Sequence, residues 1–263
     1  MARKARLVCS QRPTHYVVSN RLAGDPQAGL LADEWSRNQF ETTLRHFASI
    51  YTVRILTCAI GANGFRLLLE VNPQQRLSHA ELERRQGKLD RRQRTPLTRK
   101  EARLLRKRLG SLSDFMRDVG GVWARRYNRA RGRRGPVWAD RFHSVMLGGG
   151  MAVEAAYLYV EQQVEGRKTP EEAASGWDRS WRREDRERLR WLWLRRRWRE
   201  LLPVWEWGRA VGERHFVEWC AARDRPHCRW EVAALGVKDL WSLRPAGRQA
   251  HSSRPSRPAP LRR

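Results

Sequence analysis

Two apolar runs lie four residues apart: residues 51–60, Tyr-Thr-Val-Arg-Ile-Leu-Thr-Cys-Ala-Ile, and residues 65–71, Phe-Arg-Leu-Leu-Leu-Glu-Val. The segment between them, Gly61-Ala-Asn-Gly64, carries the residues that tight turns require. Runs rich in β-branched residues and joined so closely predict adjacent antiparallel strands. The hairpin therefore commits the chain to a sheet, with Asn63–Glu70 on a central strand. Residues 14–21, Thr-His-Tyr-Val-Val-Ser-Asn-Arg, predict a first strand of the same kind.

Helical periodicity fills the intervals. Trp35, Phe40, Leu44, Phe47 and Ile50 recur every three to five residues, predicting an amphipathic helix over 33–50 with those side chains on its buried face. Asp33 suits its N-cap. Residues 79–110 are helical in pattern and strongly basic, and Thr95-Pro96 divides them in two. A helix is expected from Leu112 to Tyr127, then a Gly/Arg loop over 129–135, a short strand ending at Leu147, and a helix over 151–165. Beyond residue 177 tryptophan and arginine interleave. Trp191, Leu194, Trp198, Leu201 and Trp205 share one helix face, which suits a packed stripe, a base-stacking platform or a membrane-surface helix. The Ser/Pro/Arg tail from about residue 245 has the composition of a disordered segment.

Charge bounds the partners. Fifty-four Lys and Arg stand against 28 Asp and Glu, a net charge of +26, and such self-repulsion is relieved by a polyanion, of which nucleic acid is the most abundant. No apolar run reaches the length of a membrane span, and no signal-peptide core follows the basic N-terminus, so no membrane partner and a cytoplasmic location are expected. Cys9, Cys58, Cys220 and Cys228 form no CxxC pair, and Cys220 and Cys228 with His215 and His227 match no common zinc spacing. The densest basic segment, 117–141, holds eight Arg and two acids, interrupted by Trp123, Tyr127 and Trp138. Arginine forks grip phosphates and aromatic rings stack on unpaired bases, so Arg125, Arg126, Arg131, Arg133, Arg134, Trp138 and Arg141 are the candidate DNA-binding residues. A solvated basic helix and loop is the plainer alternative.

The order of elements, with Leu112-Ser-Asp-Phe-Met-Arg117, Tyr127-Asn-Arg129, Gly132-Arg-Arg-Gly135, Trp138 and Arg141-Phe142, resembles the IS200-like single-tyrosine transposases. That group includes those associated with repeated extragenic palindromes. The resemblance covers roughly residues 10–170. It implies an α+β fold: a ferredoxin-like antiparallel sheet of four or five strands with helices on one face. With it go a basic helical insert at 72–110 and a domain ending near 175; beyond that, composition assigns a helical Trp/Arg-rich extension to 176–244 and a disordered basic tail to 245–263. It also implies single-stranded or hairpin DNA as partner, and leaves room for a homodimer.

The family's chemistry is attack of a tyrosine hydroxyl on a phosphodiester, giving a 5′-phosphotyrosine link. A divalent metal, Mg2+ or Mn2+, stabilises the charge, held by a His-apolar-His pair on a strand and a Gln or Asn from a helix. By the resemblance Tyr159 stands at the nucleophile position and Gln163 at the third-ligand position, within Tyr159-Val-Glu-Gln-Gln163. Gly64 and Arg66 stand where the histidines belong, in Asn63-Gly-Phe-Arg-Leu-Leu-Leu-Glu70. Glycine offers no ligand and guanidinium is a cation, so the metal pair is lost and no cofactor is expected. The residues leave three readings open: a transposase relative that binds DNA with nicking lost or reduced, an active tyrosine transposase with a substituted metal site, and a DNA- or RNA-binding regulator outside transposition. Tyr159 could equally pack on the sheet beside Tyr157. His15 and His143 read as surface or core histidines.

Overall fold

The computed structural model describes residues 6–24, 29–90, 96–161, 204–205, 208–223, 230–235 and 240–245. Gln163, the Trp/Arg stretch up to residue 203 and the tail beyond 245 lie outside the described residues, as do His227 and Cys228. The elements run β1 (Thr14–Arg21), α1 (Glu34–Ala48), β2 (Val53–Gly61), β3 (Gly64–Val71), α2 (His79–Leu89), α3 (Arg99–Leu109), α4 (Leu112–Ala130), β4 (His143–Gly148) and α5 (Gly150–Glu161). β5 (Ala210–Gly212), α6 (Arg214–Arg223), β6 (Trp230–Ala234) and β7 (Trp241–Pro245) follow.

The strands form one seven-stranded sheet in the order β2-β3-β1-β4-β5-β7-β6. The hairpin at Gly61–Gly64 is present, and β1 lies between β3 and β4, antiparallel to both. Its central residues, Tyr16, Val17 and Val18, are all buried because helices cover both faces. Tyr16, Val18, Phe65, Leu67 and Leu69 pack with α1, α3 and α4, whereas Val17, Leu68, Val145 and Leu147 pack under α5. The helices-on-one-face expectation is corrected here. The uninterrupted Leu67-Leu68-Leu69 run is the signature of a strand buried on both sides, which one helical layer cannot satisfy.

Two further expectations change. The sheet is mixed, not antiparallel throughout, because β4 and β5 run parallel. The C-terminal segment is also not wholly helical: among the described residues, β5, β7 and β6 extend the sheet, with α6 packed on it through Phe216, Val217 and Cys220. A β-bulge in β2 leaves Leu56 without a partner between Ile55 and Thr57. The extra residue reverses the alternation, so Ile55 faces α1 while Leu56 and Ala59 face α5.

Local chemistry sets the helix ends as expected. Asp33 caps α1, accepting from the Ser36 N–H at 2.9 Å, and Thr98 with Glu101 forms a capping box at the start of α3. The Tyr51 hydroxyl donates to Asp118 at 2.5 Å and Arg108 pairs with the same carboxylate at 2.7 Å, tying α3 and α4 to the end of α1. α4 inserts Trp123, fully buried, among Phe40, Tyr127 and Trp138. No helix among the described residues is long and apolar enough to cross a membrane.

Candidate nucleic-acid interface

In a strand, residues two apart share a face, and Gly64, Arg66 and Leu68 of β3 face α5. α5 is apolar nearly all round and buried from Ala155 to Glu161. It brings Tyr159 over β3, where Arg66 Nε donates a hydrogen bond to Tyr159 Oη at 2.8 Å. The guanidinium carbon sits 5.6 Å from the ring centroid. The Tyr159 ring also stacks on Trp205, with centroids 5.5 Å apart and 25° between planes. Only 3% of Tyr159 is exposed, so its hydroxyl is engaged by Arg66 and largely covered. Two residues on, Glu161 accepts a hydrogen bond from the Thr57 hydroxyl of β2 and anchors the end of the helix.

Gly64 is packed tightly against β1. A Cβ there would lie 2.3 Å from the Asn20 carbonyl oxygen and 3.3 Å from Arg21 Cα, both backbone atoms of β1. No side chain can enter without prising β3 from β1. Beside it, Arg66 places a cation where a divalent ion would need a donor. The residues here do not fit a metal, and among the described residues no cluster of three or more His, Cys, Asp and Glu could hold one.

Arg66 lies in a row across the sheet: it registers with Ser19 of β1, and Ser19 registers with His143 of β4. Burial, then the charge of Arg209, pushes the His143 pKa down to about 4, although a hydrogen bond to the Gly208 backbone opposes the shift. Its Nε2 is enclosed without a hydrogen-bond partner among the described residues. Nearby, Arg6 donates to the Phe142 carbonyl at 3.0 Å and lies 3.5 Å over the Phe142 ring. Burial, then the charges of Arg141 and Arg209, brings the Arg6 pKa down to about 10. Arg141 thus belongs to a cationic group at the start of β4.

The remaining candidates lie on the end of α4 and the loop after it. Gly132 and Gly135 take φ of 60° and 95°, a region that side chains disfavour, and Asn128 Nδ2 holds the Gly135 carbonyl at 2.9 Å. The loop is stitched to the end of β1: Ala23 N–H bonds the Val137 carbonyl at 2.8 Å and Ala139 N–H bonds the Arg21 carbonyl at 3.0 Å. That is the sheet end at which Arg66 and His143 lie. Arg125, Arg126, Arg134 and Arg141 are exposed. Arg131 pairs with Asp33 at 2.8 Å, and Arg133 lies 5.9 Å from the Tyr127 ring centroid.

Trp138 is placed differently from a stacking platform. Its ring packs 5.0 Å from Trp123 and 5.4 Å from Phe65, and its Nε1 donates to the Gly120 carbonyl at 3.1 Å. It fastens the loop to the core. The exposed aromatic at this end is Trp35, 42% exposed, which sequence reasoning had assigned to the buried face of α1. The five-residue step from Trp35 to Phe40 turns about 140° around a helix, a signal that the two share no face.

Neither a family model nor a curated protein sequence matches the chain. Among solved structures, the chain is similar to a REP-associated tyrosine transposase bound to a REP hairpin, at 8% identity and a TM-score of 0.38, over 60% of this chain and 72% of that one. It is also similar to a candidate transposase from Deinococcus radiodurans R1, at 16% identity and a TM-score of 0.33, over 62% of this chain and 98% of that one.

Two outcomes follow from this geometry. Gly64→His should destabilise the fold by about 2–3 kcal/mol, because the atom it meets is main chain, whereas Arg66→His should fold. Urea unfolding of the two variants checks this, and a Gly64→His protein as stable as the parent would show that β1 yields. His143 gives a pH dependence. Its folded pKa of about 4 lies below the ordinary 6.5, so the unfolded chain binds the proton more readily. This contribution to stability is complete above pH 6.5 and is lost as pH falls towards 4, by at most about 1.4 kcal/mol per unit. His143→Gln should flatten unfolding free energy against pH in that window.

Proposed function

We propose that the chain binds single-stranded or hairpin DNA through the Arg-rich end of α4 and the loop at 131–141, and that it does not nick DNA by metal-assisted attack. The observation that carries the second half is the Arg66 guanidinium held on Tyr159 Oη, beside a glycine that admits no side chain. A net charge of +26 and the exposed Arg125, Arg126, Arg129, Arg131, Arg134 and Arg141 support the first half. The distribution suits a strand whose phosphates track the loop. The resemblance of Tyr159-Val-Glu-Gln-Gln163 and of the 112–146 segment to IS200-like transposases supports single-stranded or hairpin DNA as the form bound.

Fluorescence anisotropy with a labelled single-stranded hairpin tests the binding. Log affinity should fall with log salt at a slope of about −3 to −5, since each neutralised phosphate on a single strand contributes about −0.7. Arg133→Ala with Arg134→Ala should flatten that slope by about one to two units. Salt-independent binding would remove the loop as a phosphate track.

The same Arg66–Tyr159 hydrogen bond favours one other reading, in which the guanidinium stands in for a metal and Tyr159 still attacks. Incubation with the hairpin in Mg2+ or Mn2+, followed by denaturing electrophoresis, separates the two. We expect no covalent protein–DNA adduct. An adduct that Tyr159→Phe abolishes would establish the transesterase instead.

A further inference from the structure

Trp35 occupies the first turn of α1 and takes no part in that helix's buried face, which is made by Ser36, Phe40, Thr43, Leu44 and Phe47. At 42% exposure it is a large apolar ring in water that core packing does not explain. Its surroundings are specific. The Arg131 guanidinium carbon lies 5.5 Å from its ring centroid, and the same guanidinium lies 5.9 Å from the Tyr127 ring centroid. Arg133 lies 5.9 Å from Tyr127 in turn. The ion pair from Arg131 to Asp33, the cap of α1, fixes the guanidinium in place at 2.8 Å. Two rings and two guanidinium groups thus converge where the loop after α4 meets the start of α1, with Trp35 the open member.

We propose that Trp35 is a stacking platform for an unpaired base of single-stranded DNA, with Arg131 as the cation that fixes its ring. The inference rests on the DNA-binding reading above and adds to it which ring meets the base. Three features point to this occupant. An indole face accepts any base by its π-surface, at a single strand or a loop but not within an intact duplex. The ring is bordered by Arg131, which also lies against Tyr127 next to Arg133, and this basic loop complements the phosphates flanking such a base. The loop's remaining aromatics are occupied: Trp138 and Tyr127 are packed into the core beside Trp123.

The test measures anisotropy with a labelled single-stranded oligonucleotide and with a fully paired duplex of the same sequence. Trp35→Ala should weaken single-strand binding about thirtyfold, the middle of the range for one stacked base. It should leave the duplex affinity and the slope of log affinity against log salt unchanged, because no phosphate contact is removed. Trp35→Phe should recover most of the loss, and thermal unfolding of both variants should match the parent, since the residue lies outside the core. Unchanged single-strand affinity in Trp35→Ala, with the parent binding normally, overturns the stacking role and leaves the DNA-binding reading intact. An equal loss on strand and duplex also overturns it. Failure of the parent to bind either form rejects the DNA-binding reading, and the platform with it.

Discussion

Burial of β1 and β3 on both faces is the constraint from which the remaining arrangement follows. A strand with apolar side chains on alternate sides can be covered by one helical layer only if its other side is polar. Val17 and Leu68 are fully or almost fully buried, as are their neighbours Val18 and Leu67. A second layer is therefore obligatory, and α5 supplies it immediately after β4. Because α5 crosses from β4 towards β2, its last turn arrives over the start of β3, and Tyr159 meets Arg66 there. The contact is a consequence of how the sheet is covered.

The same contact sets the chemistry of that end of the sheet. The guanidinium is a charged donor and the phenol oxygen its neutral acceptor, joined by one hydrogen bond. A divalent ion needs several oxygen or nitrogen donors and gains nothing from either a glycine or a cation. Gly64 and Arg66 reinforce one another. The first lets β1 and β3 close up, and the second fills the space beneath α5 with a side chain that the helix already satisfies. A histidine at either position alone leaves the other obstacle in place.

Much of the sheet was legible in the sequence because its signals are local. The turn Gly61–Gly64, the β-branched run of β1 and the Asp33 cap each depend on neighbours in the chain. The pairing of residues 64 and 66 on the face that meets Tyr159 was also legible, since strand alternation and a motif register suffice for it. What was missed depends on distant partners. Trp138 was read as a binding residue from its company of arginines, yet Phe65, brought from a different element, draws it into the core. Trp35 is the exception, since its step to Phe40 is a local signal that it leaves the buried face of α1. The second helical layer was announced by Leu67-Leu68-Leu69, but nothing local says which segment would supply it. The strands β5, β6 and β7 are three to five residues long and carry too little pattern to outweigh the Trp/Arg composition around them.

The parallel pairing of β4 with β5 has a consequence for how the molecule assembles. Gly148 pairs with Gly212, so the chain between them must be spanned before that part of the sheet can close. Hairpin β2–β3 closes over only a few residues and gains its pairing at little entropic cost, whereas the β4–β5 junction closes one of the longest loops in the fold. β1, β2, β3 and β4 all precede β5 in the chain and can pair before β5 exists on a growing chain. α5, carrying Tyr159, is synthesised ahead of Trp205 and the strand that completes the sheet. Tyr159 therefore leaves the ribosome ahead of Trp205 and acquires this stacking partner only once the later segment folds against the sheet.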